Sequence, residues 1–193
     1  YKKKHVGNFG IISVLSFNGN KIITTGAGGA ILTNNKKIFK KAQHLSNVAK
    51  KINRRDFFHD QVGYNYRMPN INAAIGCAQI KKLKNFLKRK KLLTKFYQNY
   101  FHKFQEINFF KEPLNTKRNN WLNIIFLKKN SLKIRNKILS DLEKRYVHCR
   151  PIWFPIHKLP MYKKYPSMKL ENIDIINKNL ICLPSSPILF SKK

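Results

Sequence analysis

Two short apolar segments near the beginning of the chain have the composition of β-strands. GIISVLSF, residues 10–17, is rich in β-branched and large apolar side chains, and GAILT, residues 29–33, has the same character. The first segment predicts a buried strand and the second predicts another strand. Between them, SFNGNKIITTGAGG contains a single lysine, Lys21, which is followed by three glycines.

Helical spacing of apolar residues governs the middle of the chain. Residues 36–49 have a weak helical pattern, and RRDFFHDQVGYNYRMPN, residues 54–70, predicts an ordered loop rich in aromatic residues. Apolar positions then recur at helical spacing from Ile71 to Tyr100, after Asn70 as a plausible N-cap. The pattern predicts one long helix, of the kind that often joins two domains.

The pattern changes again after this helix. NNWLNIIFL predicts a strand, SLKIRNKILSDLEKR predicts a helix capped by Ser131, and YVHCRPI predicts another strand. The last segment contains six prolines, and we expect loops there around a short helix near residues 171–180. A small α/β unit is therefore predicted to follow the long helix.

The composition is compatible with a packed core and contains no membrane signal. Of the 193 residues, 42% are hydrophobic, but no apolar run approaches the eighteen or so residues that span a bilayer. The opening YKKKH is not followed by a signal-like apolar stretch. We therefore expect a soluble cytoplasmic protein that does not enter a membrane.

Basic residues far outnumber acidic ones. The chain has 40 Lys and Arg against 8 Asp and Glu, a formal charge of +32 that raises the question of nucleic-acid binding. Codon drift is an alternative, because the abundant Lys, Asn, Ile and Phe all have codons rich in A and T, although it does not explain the scarcity of acids. The basic residues are scattered and no RNA-binding signature is present, so we predict no specific nucleic-acid partner.

The cysteines indicate neither a disulfide framework nor a metal site. Cys77, Cys149 and Cys182 are too few and too widely spaced for either. His148 precedes Cys149 directly, but adjacent strand residues point to opposite faces of a sheet. We therefore predict reduced thiols and no metal.

Lys21 allows several interpretations on its spacing alone. A P-loop requires the lysine after the glycines, and Gly26, Gly28 and Gly29 lead into a strand rather than a helix, so neither common phosphate-binding motif fits. A Schiff-base lysine must lose its proton before it attacks an aldehyde, and burial between strands favours that loss. A solvated turn lysine is the remaining alternative.

Two long motifs carry a resemblance that bears on this choice. SFNGNKIITTGAGGAILT resembles the lysine motif of the DegT/DnrJ/StrS family of pyridoxal-phosphate sugar aminotransferases, and HDQVGYNYRMPNINAAIGCAQ resembles the GYNYRM loop and following helix of that family. RNNWLN, CRPIWFPIHKLPMY and LPSSP resemble the branch that aminates UDP-linked 4-keto sugars in the bacillosamine and legionaminic acid pathways. The resemblance covers nearly the whole chain.

The resemblance implies an α/β fold, namely the C-terminal part of a fold-type I aminotransferase. Residues 1–70 would be the end of the large pyridoxal-phosphate-binding domain. Residues 71–105 would form the long connecting helix. Residues 106–193 would form the small C-terminal α/β domain.

The resemblance also assigns roles to particular residues. Lys21 would form the Schiff base with pyridoxal 5′-phosphate and move a proton during transamination, and Ser16 would bind the cofactor phosphate. Asn65 would reach the phosphate of a neighbouring subunit, so the active site would be shared across a homodimer. Arg150 and His157 would contact the sugar nucleotide, whose diphosphate suits their chemistry.

The implied function is transamination of a nucleotide-linked 4-keto-6-deoxy sugar for surface polysaccharide or glycan biosynthesis, with a UDP-linked substrate and glutamate as amino donor. Lys21 argues against the dehydratases of the family, which carry histidine there. A catalytically dead or regulatory relative, and a basic protein that binds polyanions without specificity, remain alternatives.

Two features depart from the family pattern. Ala27 stands where many members have Glu, which we interpret as branch variation. YKKKHVG resembles the segment just after the acidic residue that pairs with the cofactor's ring nitrogen, so that carboxylate would lie upstream of Tyr1. We therefore expect the chain to be inactive by itself.

Overall fold

The computed structural model describes residues 1–53, 55–129 and 131–190, so Arg54 of the predicted loop lies outside the described residues. Contacts divide the chain into two units. The first comprises Tyr1–Asn85 and Asn115–Lys117, and the second comprises Phe86–Leu114 and Arg118–Lys193. The division falls within the long helix, and the predicted domain limits at residues 70 and 105 stay a prediction.

The first unit contains a two-stranded antiparallel sheet. Strand β1 is Ser13–Ser16 and strand β2 is Gly29–Leu32, with Ser13 opposite Leu32 and Ser16 opposite Gly29. Both predicted strands exist, but the predicted burial of the first is wrong, since Val14 is 72% exposed. Three of the four residues of each strand are exposed.

Helix α1, Lys36–Ser46, begins and ends where local signals dictate. The Asn35 side chain accepts hydrogen bonds from the amides of Lys37 and Ile38 at 3.0 and 3.2 Å, which satisfies two otherwise unpaired donors. After the helix, Val48 and Ala49 adopt left-handed φ angles of 54° and 53°. These angles turn the chain sharply and end the helix three residues before the predicted limit.

Helix α2, Asn70–Phe101, is 32 residues long and confirms the predicted long helix. It begins at Asn70 itself and ends four residues before the predicted limit of 105. Its buried residues are Lys90, Leu93 and Thr94, so most of its apolar stripe is exposed. No helix in the part of the chain that the structure describes is long and apolar enough to cross a membrane.

The second unit is built on a four-stranded antiparallel sheet with the strand order β3–β4–β6–β5. The strands are Ile107–Phe109, Asn123–Leu127, Arg150–Pro151 and Leu180–Leu183 for β3, β4, β5 and β6. Helix α3 is Leu132–Lys144 and helix α4 is Glu171–Asn179. The core centres on alternate residues of the two middle strands: Ile125, Leu127, Ile181 and Leu183.

The sequence pattern predicted this unit unevenly. The strand at NNWLNIIFL and the helix capped by Ser131 are confirmed, and the Ser131 hydroxyl accepts from the Ile134 amide at 3.3 Å. The predicted strand YVHCRPI shrinks to the two residues of β5. Strands β3 and β6 were not predicted, although all four residues of β6 are buried.

Candidate functional site

The backbone of Phe17 closes the loop that carries Lys21. Its amide donates to the Gly28 carbonyl oxygen at 2.9 Å, and its own carbonyl accepts from the Thr25 amide at 3.0 Å and from the Thr24 hydroxyl at 2.9 Å. Within the loop, the Lys21 amide donates to the Asn18 carbonyl at 3.0 Å, and Lys21 is half-buried. We call residues 17–28 the lysine turn.

Glycines make the lysine turn possible. Gly26 and Gly28 have φ angles of 82° and 102°, a region that L side chains rarely adopt. A Cβ at Gly29 would lie 2.4 Å from the Leu15 carbonyl oxygen of the paired strand. Glycine is therefore required at all three positions: Gly26 and Gly28 because of their left-handed φ angles, and Gly29 because of its close contact with the neighbouring strand.

The first turns of α2 anchor the lysine turn through Thr25, which is 2% exposed. The Asn72 amide group donates to the Thr25 carbonyl at 2.6 Å. A Cβ at Gly76 would approach the Thr25 methyl group to 2.9 Å, so this helical glycine permits the close packing. The sequence analysis missed both Asn72 and Gly76; a glycine inside a strong helical pattern was the available signal.

Ser16 and Lys21 belong to the same hydrogen-bonded segment. Ser16 is the last residue of β1 and is exposed, and its hydroxyl oxygen accepts from the Asn18 amide at 3.4 Å. The Asn18 carbonyl in turn accepts from the Lys21 amide at 3.0 Å. The fold therefore places Ser16 directly before the turn that carries Lys21.

The loop that carries Asn65 is tied to the end of α1. The Tyr64 amide donates to the Leu45 carbonyl at 2.7 Å and the Tyr66 amide donates to the Ser46 carbonyl at 3.0 Å, while Asn65 pairs with Asn47 as an isolated β-bridge. The Tyr64 and Tyr66 rings stack with their centroids 5.1 Å apart. The exposed Asn65 side chain is thus presented from a fixed backbone.

Arg150 and His157 lie in the second unit. Arg150 is exposed and pairs with Cys182 at the edge of the sheet, and His157 is half-buried in the short 3₁₀ turn Ile156–Lys158. Nearby in the sequence, Trp153 is 64% exposed, and its ring centroid lies 6.1 Å from that of Trp121.

A buried lysine that the sequence analysis missed connects two of the motifs in the second unit. Lys90 of α2 is 3% exposed and donates to the carbonyl oxygens of Trp121, at 3.0 Å, and of Ser185. Burial lowers the pKa of Lys90 from 10.5 to about 8. Its periodic position among many lysines gave no signal of this burial.

Hydroxyl and amide groups extend the contacts around Lys90. The Thr94 hydroxyl donates to the Asn123 side-chain oxygen at 2.7 Å, and the Asn123 amide donates to the Ser185 hydroxyl at 2.8 Å. The Tyr97 hydroxyl donates to the Pro184 carbonyl at 3.0 Å. RNNWLN and LPSSP are thus held to α2 by a hydrogen-bonded network.

The three cysteines are thiols, with Cys77 exposed, Cys149 half-buried and Cys182 buried. Burial raises the pKa of both Cys149 and Cys182. Within residues 1–53, 55–129 and 131–190, no three His, Cys, Asp or Glu side chains group together as metal ligands would.

Comparison with known proteins identifies relatives over the whole chain. The sequence model of the DegT/DnrJ/EryC1/StrS aminotransferase family matches residues 1–193. GDP-perosamine synthase of Escherichia coli O157:H7 is 34% identical over 100% of this chain and 51% of its own length. The UDP-4-amino-4,6-dideoxy-N-acetyl-beta-L-altrosamine transaminase of Campylobacter jejuni strain 81-176 is 29% identical over 95% of this chain and 50% of its own length.

A solved structure supports the same assignment. Helicobacter pylori PseC, an aminotransferase involved in the biosynthesis of pseudoaminic acid, superposes with a TM-score of 0.88 at 25% identity, over 97% of this chain and 51% of that protein. The α/β aminotransferase fold class predicted from the sequence is confirmed. The chain spans about half the length of the curated relatives it matches.

Proposed function

Because the chain belongs to the DegT/DnrJ/EryC1/StrS aminotransferase family, we propose that it takes part in pyridoxal-phosphate-dependent transamination of a nucleotide-linked 4-keto-6-deoxy sugar. The observation that carries this proposal is the lysine turn. It holds Lys21 half-buried, five residues after the exposed hydroxyl of Ser16, in a backbone that three glycines permit.

Three of the predicted site residues have side chains that fit the cofactor that the family uses. Lys21 supplies an amine, Ser16 supplies a hydroxyl donor for a phosphate, and the exposed Asn65 supplies an amide. Gly28 lets Met68 pack directly against the turn, since a Cβ there would lie 3.0 Å from the Met68 methyl group. When bound, pyridoxal phosphate supplies an electrophilic aldehyde and a ring that withdraws electrons from the substrate carbon.

Each residue has a defined task in this proposal. Lys21 Nζ would supply the amine that holds the cofactor and would carry a proton between the substrate carbon and the cofactor as general base and acid. The Ser16 hydroxyl would donate to the cofactor phosphate. Asn65 of a second copy would donate to the same phosphate, which would make the homodimer part of the site.

The sugar nucleotide would be held through its diphosphate. Arg150 offers an exposed guanidinium that can bind phosphate oxygens in a bidentate manner, and His157 offers an imidazole. The motifs of the second unit favour a UDP-linked sugar. A GDP-linked sugar is the second candidate, because GDP-perosamine synthase of E. coli O157:H7 aligns with the entire chain at 34% identity.

Several finer points stay predictions within this proposal. Glutamate is the expected amino donor, and the cytoplasm is the expected location. We also propose that the chain alone forms no amino sugar, because it spans about half the length of its relatives and the acidic partner of the cofactor ring would lie in the other half.

Chimeric enzymes test the proposal. The first half of the E. coli O157:H7 GDP-perosamine synthase, or of the C. jejuni transaminase, is joined to this chain and assayed with glutamate and a GDP- or UDP-linked 4-keto-6-deoxy sugar. We expect bound cofactor with visible absorbance and formation of amino sugar. A nucleotide preference shared by both chimeras belongs to this chain.

Lys21→Ala in each chimera should remove the lysine-dependent absorbance and lower turnover by at least about a hundredfold. Lys81→Ala is the matched control, because Lys81 is an exposed residue of α2. Retained absorbance and turnover in Lys21→Ala would contradict the role of Lys21, and product formed by this chain alone would contradict its inactivity.

A further inference from the structure

Five lysines line one open cavity of the first unit, with a volume of about 800 Å³. Helix α1 contributes Lys37, Lys40 and Lys41, and the segment after the helix contributes Lys50 and Lys51. None of these residues belongs to the lysine turn. We call this the polylysine cavity.

The local fold brings these ammonium groups together despite their mutual repulsion. Lys40 and Lys41 lie three and four positions after Lys37, so each is a neighbour of Lys37 on the surface of the helix. The left-handed Val48 and Ala49 then reverse the chain, and the Lys51 amide donates to the Phe58 carbonyl at 2.9 Å. Ala49 is fully buried in this reversal, directly before Lys50 and Lys51.

Asp60 is the only acid among the described residues that line the cavity, and its charge is already compensated. Its carboxylate lies 2.6 Å from His44 Nε2 and 2.9 Å from Lys51 Nζ. Hydrogen bonds from His44 and Lys51 hold the pKa of Asp60 well below its usual range. Lys41 donates to the neutral side chain of Gln61. The cavity therefore keeps a positive excess that favours an anion.

The wall is not exclusively charged. Ile52 and Phe58 line the same cavity and are 88% and 43% exposed. A volume of about 800 Å³ exceeds the needs of one phosphate and lies within the range of small-molecule sites. An apolar wall beside a set of lysines suits a ligand that has both a ring and several phosphate groups.

We propose that the polylysine cavity binds an organic polyphosphate, with the phosphate groups on Lys37, Lys40 and Lys50 and a ring against Phe58 and Ile52. This site goes beyond the proposed transamination and does not depend on it. Arg150 and His157, to which the sugar nucleotide is assigned above, belong to the other unit.

Binding of inorganic pyrophosphate to the full chain, measured by calorimetry at fixed salt and without pyridoxal phosphate, tests the phosphate half. The variant Lys37→Gln/Lys40→Gln should lose about tenfold in affinity, since two charge-assisted contacts are removed. The control Lys81→Gln/Lys82→Gln removes the same charge from exposed positions of α2 and should change affinity by less than about twofold. Circular dichroism verifies that both variants fold.

Comparison of UDP with pyrophosphate tests the ring half. UDP should bind several-fold more tightly, and Phe58→Leu should remove that advantage while it leaves pyrophosphate affinity unchanged. Three results would assign the binding to overall charge and overturn the proposal. The first is an equal loss of affinity in the two double variants, and the second is the absence of saturable binding. The third is tighter binding of single-stranded RNA that both double variants weaken equally. Because the assay contains no cofactor or amino donor, its failure leaves the proposed transamination untouched.

Discussion

Lys21 and Lys90 show how differently two lysines can be placed in a chain with 40 Lys and Arg. Lys21 is half-buried in a turn whose backbone hydrogen bonds run through Phe17. Lys90 is 3% exposed and donates to the carbonyl oxygens of Trp121 and Ser185, so its ammonium group is desolvated. At this scale, burial lowers the pKa of Lys90 to about 8.

The buried Lys90 predicts a pH dependence of stability. Its folded pKa of about 8 lies below the unfolded value of 10.5, so between these pH values the unfolded chain binds the extra proton and stability rises with pH. The full cost of burial, on the order of 3 kcal/mol, applies below pH 8. We expect the free energy of unfolding of the wild type, relative to that of Lys90→Met, to rise by about 2 kcal/mol between pH 7.5 and pH 9.5. Urea unfolding of both proteins at the two pH values measures this difference.

The difference in the free energy of unfolding between wild type and Lys90→Met isolates the contribution of Lys90. Burial raises the pKa of Tyr97, Cys149 and Cys182, so these groups lower stability at alkaline pH, but they do so in both proteins. An unchanged difference between pH 7.5 and 9.5 would show that Lys90 does not lose its proton in the folded state in this range.

The hairpin of β1 and β2 is the element on which the site depends. Its register places Ser16 opposite Gly29, directly beside the lysine turn. Helix α2 packs against the turn through Asn72 and Gly76, both of which contact Thr25. The turn is therefore supported both by strand pairing and by a helix.

Substitution of Gly29 tests this arrangement. Gly29→Ala places a Cβ 2.4 Å from the Leu15 carbonyl oxygen and should separate the strands, at a cost of about 2 kcal/mol. Gly19→Ala is the matched control, because its Cβ would have Gly26 as nearest neighbour at 3.9 Å. Amide exchange at Phe17 and Thr25 should quicken in the first variant only; equal rates in both variants would contradict the predicted clash.

The whole molecule combines a formal charge of +32 with extensive exposed apolar surface. Val14 and Ile31 in the first unit, and Trp153 and Met161 in the second, are all more than half exposed. Exposed apolar side chains of this number mark surfaces that other protein normally covers. We therefore expect the chain on its own to aggregate readily.

The charge predicts RNA binding without specificity. Exposed charges are screened beyond about 8 Å at physiological salt, so binding should weaken steeply as salt is raised. Filter binding with RNA oligonucleotides of equal length should give equal affinities for different sequences at each salt concentration. A marked sequence preference that persists at high salt would instead favour a specific nucleic-acid role.

Local signals made part of the structure predictable. Ser131 caps helix α3 as the sequence pattern predicts, because capping involves only residues two or three positions apart. The lysine turn was located from its glycines, since a left-handed φ is a property of the single residue. The family followed from two motifs that are continuous in the sequence.

Long-range contacts decided the rest. The exposure of β1, the pairing of β6 between β4 and β5, and the burial of Lys90 each depend on segments far apart in the chain. The Thr25 carbonyl accepts a hydrogen bond from Asn72, which lies 47 residues later in the chain. The lysines of the polylysine cavity come together through a chain reversal that the sequence pattern does not predict. The sequence by itself determined the helices, the turn and the family. Only the tertiary structure decided which side chains lose water and which charges lie close together. The reason is that desolvation and charge clustering depend on neighbours that are distant in sequence.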